Sequence, residues 1–199
     1  FLVDDVVFWD RVDVIGLSLY VPLSLNDDAS PAELNAAWLD NPFGSIGNVI
    51  AYLKNLSDTY GKPVMAMESG FQSIIGGLRD VGPVATLRDV DNGVQAAGIA
   101  SLLDVLGKYQ GQWFDGLSLW SVFPPFLDET NQDGWGYRQG YMTNGKPAAE
   151  VIRDYFTGVR TYSDPVFRGG ITDGHLTGSY ADDLILGGIG RETIWAGAG

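Results

Sequence analysis

Strand-patterned and helix-patterned segments take turns along the first 160 residues, and this alternation limits the fold more than any other feature of the chain. Residues 11–20 (RVDVIGLSLY) alternate and then run apolar, as a buried strand does. Ser30, Pro31 and Glu33 make a capping-box pattern with proline at the first helical position, which predicts a helix to about Leu39. A second helical stretch covers Ile46 to Tyr60 and stops at Gly61, a residue able to take the left-handed backbone of a C-terminal cap. Residues 63–67 read as a short buried strand ending on Glu68, and a glycine-rich loop occupies 70–90. Asp91 caps an apolar-periodic helix to about Tyr109, and residues 115–122 form a third strand. An aromatic loop spans 123–146, and Lys146 with Pro147 opens a last helix ending near Gly158. The order β, α, β, α, β, α predicts a parallel sheet of class α/β.

Charge and composition remove several function classes. A formal net charge of −13 repels polyanions, so no nucleic-acid partner is expected. The longest apolar runs are of strand length and are broken by Asp, Gly or Pro, so no membrane-spanning helix is expected. With no cysteine there is no disulfide and no thiolate metal site; Cys-free, acidic and aromatic-rich together suit an exported bacterial protein, a profile that many cytosolic proteins share. The chain starts at Phe1 with no leader pattern, which leads to the expectation of an incomplete chain.

Glu68 carries the chemistry. A carboxylate directly after a buried strand, beside Gly70, projects from the C-terminal rim of a parallel sheet, where ligands bind in barrels and doubly wound sheets alike. On that ground alone, a strand-end Glu serves more often as a cap or ion-pair partner than in catalysis. The run FWDRVDVIGLSLY (8–20), Pro22-Leu23 and KPVMAMESGFQS (62–73) adds more. Together with DNGVQ from Asp91 to Gln95, Trp113 to Gly116 leading into Trp120, and Lys146-Pro147-Ala148, it resembles the last strands of clan A glycoside hydrolases. It is most similar to the β-mannanases of glycoside hydrolase family 113. The resemblance covers roughly residues 8–156 and implies the C-terminal part of a (β/α)8 barrel, about three βα units, with Glu68 as the nucleophile of a retaining enzyme. It implies a polysaccharide or oligosaccharide substrate and no cofactor for catalysis.

The chain departs from that pattern in two places. Ser18 stands where the family more often has an acidic residue. The acid/base Glu of such enzymes lies at the end of the fourth strand, upstream of what this chain contains. Glu129, in the loop after the last strand, is a poor substitute. The expectation is an enzyme lacking the N-terminal part of its own barrel, which leaves an open sheet edge prone to self-association. A different clan A specificity, such as a β-glucanase or β-galactanase, is an alternative.

Pyranose rings stack their C–H faces on aromatic rings, so Tyr20, Trp120 and Trp135 are the candidate substrate-binding residues. Trp135, Tyr137 and Tyr141 follow in one loop and either form an outer subsite or, as such residues more often do, pack the loop down, and Trp9, Trp38 and Trp113 are expected to lie in the core or pack helices. Arg79, Asp80, Arg88 and Asp89 are expected to form solvated pairs.

From Gly169 the character changes. Steps of nine give GGITDGHLT, GSYADDLIL, GGIGRETIW and AGAG, with Leu176, Ile185 and Ile194 at the eighth place. The sixth place holds Gly174, Asp183 and Glu192. This pattern resembles a degenerate form of the calcium-binding nonapeptide of RTX proteins, in which glycines make tight turns and sixth-position carboxylates offer oxygen ligands. The resemblance implies a short β-roll-like tail over 161–199 after a barrel domain over 1–160. Asp183, Asp182 and Glu192 are its candidate calcium ligands, and His175 falls at a variable place and is no ligand. RTX likeness further implies an extracellular protein using type I secretion. A non-catalytic, calcium-dependent module with a vestigial barrel is the alternative of another class.

Overall fold

The computed structural model describes residues 6–44, 47–82, 88–121 and 139–158, and the strand backbones at 166–168, 174–177, 184–186 and 192–195. Three strands, β1 (Ile15–Ser18), β2 (Val64–Ser69) and β3 (Phe114–Leu119), form one sheet in sequence order, and both neighbouring pairs are parallel. Helices α1 (Pro31–Ala36) and α2 (Val49–Tyr60) connect β1 to β2, α3 (Asn92–Leu106) connects β2 to β3, and α4 (Pro147–Thr157) comes after β3. A parallel sheet with helical crossovers is the architecture that the alternating pattern predicts.

The helix ends show why local sequence was informative. At α1 the full capping box is present: Ser30 Oγ accepts from the Glu33 amide at 3.3 Å, and the Ser30 amide donates to Glu33 Oε2 at 2.8 Å. The helix stops at Ala36, short of the predicted Leu39, because the Asn41 side-chain amide takes the Ala37 carbonyl at 3.2 Å and the Pro22 carbonyl at 2.9 Å. Helix α2 starts at Val49 rather than Ile46, since Asn48 is its N-cap and accepts from the Ala51 amide at 2.8 Å. Gly61 and Gly158 end α2 and α4 with φ of 61° and 66°; the left-handed cap is the one predicted for Gly61, and the last helix ends at Gly158 as predicted. Asp91 caps α3 by accepting from the amides of Gly93 and Val94.

One face of the sheet packs on the helices. Ile15, Leu17 and Leu19 from β1 and its extension join Val64, Ala66 and Phe114 in a core completed by Leu53, Ile99, Leu102 and Leu106. Trp9, Trp38 and Trp113 belong to this core as expected, and the Trp38 indole donates to Ser101 Oγ at 3.1 Å. The opposite face is open: Met67 is 55% exposed and Trp120 49% exposed. In a complete barrel that face lines the interior.

In the tail, β4 (Val166–Arg168) pairs with β6 (Leu184–Leu186), and β5 (Gly174–Thr177) pairs with β7 (Glu192–Trp195), both parallel. Val166 faces Leu184 and Gly174 faces Glu192, so each strand pairs with the one two nonapeptides further on. Asp182 and Asp183 lie outside the described residues, and Glu192 is the first residue of β7.

Candidate active site

The position of Glu68 depends on a defect in the sheet. Strict alternation along β2 would put Glu68 on the same face as Val64 and Ala66, both fully buried against the helices. The register shows otherwise. On one side Leu17 pairs with Ala66 and Ser18 with Glu68, so Met67 is skipped. On the other side Ala66 pairs with Leu117 and Ser69 with Leu119, so three steps of β2 match two of β3. Between Ala66 and Ser69, β2 therefore holds one extra residue against both neighbours, a β-bulge that re-aims the next side chain along the strand, whereas nearer the start β3 holds the extra one, since Val64 pairs with Phe114 and Met65 with Gly116. Burial agrees with the bulge: Val64, Ala66 and then Ser69 are the buried positions. Met67 and Glu68 thus share the open face.

Backbone contacts lock this geometry. The Leu19 amide donates to the Glu68 carbonyl at 2.7 Å, and the Trp120 amide donates to the Ser69 carbonyl at 2.8 Å. The Ser69 hydroxyl, turned to the helix side, donates to the Leu19 carbonyl at 2.7 Å. Gly70 comes next, and a Cβ there would lie 2.2 Å from the Trp120 carbonyl oxygen. Only a residue without a side chain lets the ends of β2 and β3 meet this closely.

Tyr20 stands beyond β1 between the buried Leu19 and Val21, so its ring is on the open face. Its hydroxyl donates to Glu68 Oε1 at 2.5 Å. Burial, then this hydrogen bond and the charge of Glu68, holds the phenol above its ordinary range and therefore protonated. Glu68 is half-buried and makes no ion pair among the described residues. Among the described residues the strand-end Glu is therefore not tied up as a salt-bridge partner.

Tyr141, read from sequence as loop packing or an outer-subsite residue, also reaches this cluster. Its ring meets Tyr20 edge-on with centroids 5.6 Å apart, and its hydroxyl donates to the Val81 carbonyl at 2.6 Å. Burial, with a smaller effect from the Glu68 charge, pushes its phenol up to about 12. Trp120 comes directly after β3; past the register shift at Asp115, Leu117 and Leu119 pack against the core, so Ser118 and Trp120 share the open face. The peptide between Trp120 and Ser121 is cis. Trp135, Tyr137 and Glu129 lie outside the described residues.

The loop after β2 is packed rather than merely glycine-rich. Phe71, Gln72, Ser73, Ile74 and Leu78 are all buried. Gln95, fully buried on α3, donates to the Phe71 carbonyl at 2.9 Å and the Gly140 carbonyl at 3.3 Å. Lys146 Nζ donates to Ser73 Oγ at 2.7 Å, and burial lowers the ammonium to about 7. From the β1 side, Asp27 accepts from the Gly76 amide at 2.6 Å, with burial raising its carboxyl above the usual range. Asp80 bridges Arg88 at 2.5 Å and Arg79 at 3.0 Å, one partly solvated trio without Asp89 in place of the separate pairs expected from sequence. Asp27 was the missed member of this loop's anchoring, and no local pattern marks it.

Among the described residues no group of three or more His, Asp or Glu side chains could hold a metal, and no helix is long and apolar enough to cross a membrane. An open groove lined by Lys62, Trp113 and Asp115 lies at the opposite, N-terminal ends of β2 and β3, away from Glu68.

The family model of Glycoside Hydrolase Family 113 matches residues 3–146, most of the chain. The chain belongs to glycoside hydrolase family 113. Solved family 113 structures share its fold. A family 113 β-1,4-mannanase is 21% identical with a TM-score of 0.57, covering 79% of this chain and 43% of its own. The family 113 β-mannanase AaManA from Alicyclobacillus acidocaldarius, in complex with ManMIm, is 22% identical with a TM-score of 0.55, covering 80% of this chain and 43% of its own. The chain thus spans less than half the length of these relatives, and the α/β parallel architecture is that of part of their barrel. No curated protein matches the chain. Within family 113, the matched region contains β1, β2 and β3 and every described residue of the Tyr20–Glu68–Tyr141 cluster.

Proposed function

We propose that this chain is the C-terminal section of a retaining, β-mannanase-like glycoside hydrolase acting on a β-linked polysaccharide, with Glu68 as its nucleophile. One observation carries the reading: the β2 bulge puts Glu68 on the open face at the C-terminal end of its strand, paired only with the Tyr20 hydroxyl among the described residues. A carboxylate there meets a sugar ring arriving from the mouth.

The Tyr20 hydrogen bond on Oε1 fixes the carboxylate's orientation and leaves Oε2 to attack the anomeric carbon. The C–O bond to Glu68 forms as the glycosidic bond breaks, and an acid protonates the leaving oxygen. Water then attacks the glycosyl-enzyme, the same group now acts as base, and Glu68 leaves as carboxylate. The acid/base group would be a carboxyl about 5–5.5 Å from Glu68, supplied by barrel strands outside this chain. Trp120, exposed on the same face, and Trp135 would stack sugar rings.

The division into a barrel section over 1–160 and a repeat tail over 161–199 belongs to the same proposal. Pairing of tail strands at two-nonapeptide intervals supports a β-roll. Asp183, Asp182 and Glu192 would then offer oxygen ligands to calcium, in an extracellular protein exported by a type I route.

The decisive experiment replaces Glu68 with Gln in the complete enzyme that carries this section. Hydrolysis of β-1,4-mannan is expected to fall by a factor of at least about 10³, since no nucleophile replaces the carboxylate. Retained hydrolysis refutes the assignment. Calcium binding without any glycan binding by the wild type would point instead to a non-catalytic module.

A further inference from the structure

We propose that Tyr141 is a positioning residue for Glu68, acting through Tyr20. The proposal rests on Glu68 being the nucleophile and adds a residue from a different loop to its machinery. Tyr141 lies beside the segments just beyond all three strands. Its ring edge meets Tyr20 after β1, at 5.6 Å between centroids and 64° between planes. Its Cδ1 lies 3.4 Å from where a Cβ on Gly70 would stand, after β2. Its carbonyl accepts from the Ser121 amide at 3.2 Å, after β3.

The ring is held at its far end as well. The hydroxyl donates to the Val81 carbonyl at 2.6 Å, so a side chain from the loop after β3 is fastened to the loop after β2. A phenol that donates to a backbone carbonyl is not presenting that proton to the mouth. Tyr141 therefore has little to offer a substrate directly, but much to offer Tyr20. The Tyr20 hydroxyl reaches Glu68 Oε1 only while its own ring stays in one rotamer, and the Tyr141 edge is a wall against that ring. Loss of this wall should slow the chemical steps and leave substrate affinity nearly unchanged.

The test is a double-mutant cycle in the complete enzyme, read as kcat and KM on a β-1,4-mannooligosaccharide. Tyr141→Phe keeps the ring and removes the Val81 tie, and Tyr141→Ala removes both. The expected losses in kcat are about 3-fold for Phe and about 10-fold or more for Ala, with KM within about 2-fold of wild type. In a Tyr20→Phe background, Tyr141→Phe should cost less than about 2-fold further, because the pathway it acts through is already cut. Additive losses overturn the proposal, as does a rise in KM at unchanged kcat, which would make Tyr141 a substrate contact. Wild-type kcat in Tyr141→Ala overturns it too. Should Tyr141→Ala unfold, the Phe cycle decides alone, with near-UV circular dichroism confirming native packing. If Glu68→Gln keeps its hydrolysis, the nucleophile assignment itself has failed. If Glu68→Gln is inactive and the cycle is additive, only the role of Tyr141 has.

Discussion

Gly70→Ala is the sharpest perturbation of the rim, because its effect comes from contact alone. The added Cβ would sit 2.2 Å from the Trp120 carbonyl oxygen, whereas real Cβ contacts essentially never fall below 3.0 Å. The ends of β2 and β3 must then separate by at least 0.8 Å, the gap between those two distances. The atom in the way is backbone, so no side-chain rotation relieves it. Overpacking of this kind costs about 1–3 kcal/mol, and for a chain of this size each kcal/mol lowers Tm by about 2–4 °C. A fall in Tm of roughly 2–12 °C is expected by circular dichroism. The same displacement loosens the 2.8 Å hydrogen bond from the Trp120 amide to the Ser69 carbonyl, next to Glu68. A misplacement of about 1 Å near a reacting group can cost about 10²-fold in rate. The activity loss in the complete enzyme, assayed well below Tm, should therefore exceed what the unfolded fraction explains. Gly44→Ala is the control, since a Cβ there meets nothing within 4 Å. It should change stability by less than about 0.5 kcal/mol. A Gly70→Ala protein with wild-type Tm and activity would refute the close approach of the two strand ends, and with it the described mouth.

The other expectations test separate parts of the molecule. Besides the losses expected for Glu68→Gln and for the Tyr141 cycle, the buried Lys146 gives a pH signature. Its folded-state value is depressed to about 7 from an ordinary 10.5, so between these values the unfolded chain binds the extra proton. Its contribution to stability should therefore fall as pH drops from about 10.5 to 7 and level off below. Urea melts should show Lys146→Met with a flatter profile over that window, and an unchanged slope would contradict the burial. For the tail, millimolar calcium should raise Tm reversibly against a chelator, and Asp183→Ala should weaken the response; titration calorimetry showing no calcium heat would remove the proposed ligands.

Much of the scaffold was readable from local signals. The βα order, the Ser30–Glu33 capping box, the Asp91 cap and the stops at Gly61 and Gly158 all arise from residues within one turn of where they act. Helix ends moved by a few residues: a local cap at Asn48 set the start of α2, and at Ala37 the Asn41 side chain, which also holds Pro22, closed α1. The family resemblance drew on the same strand ends and placed Glu68 at the correct end of β2.

The amino-acid order alone determined that an acid leaves a buried strand at the sheet's C-terminal edge. It did not determine which way that acid points. Read by alternation, VMAMES sends Glu68 in among the helices with Val64 and Ala66. Pairing with β1 and β3 together inserts one extra residue and turns it to the open face. Register belongs to three strands at once, so no window of sequence contains it. Tyr141 was hidden for the same reason: its contacts run to Tyr20, Gly70 and Val81, which only the folded chain brings to one place.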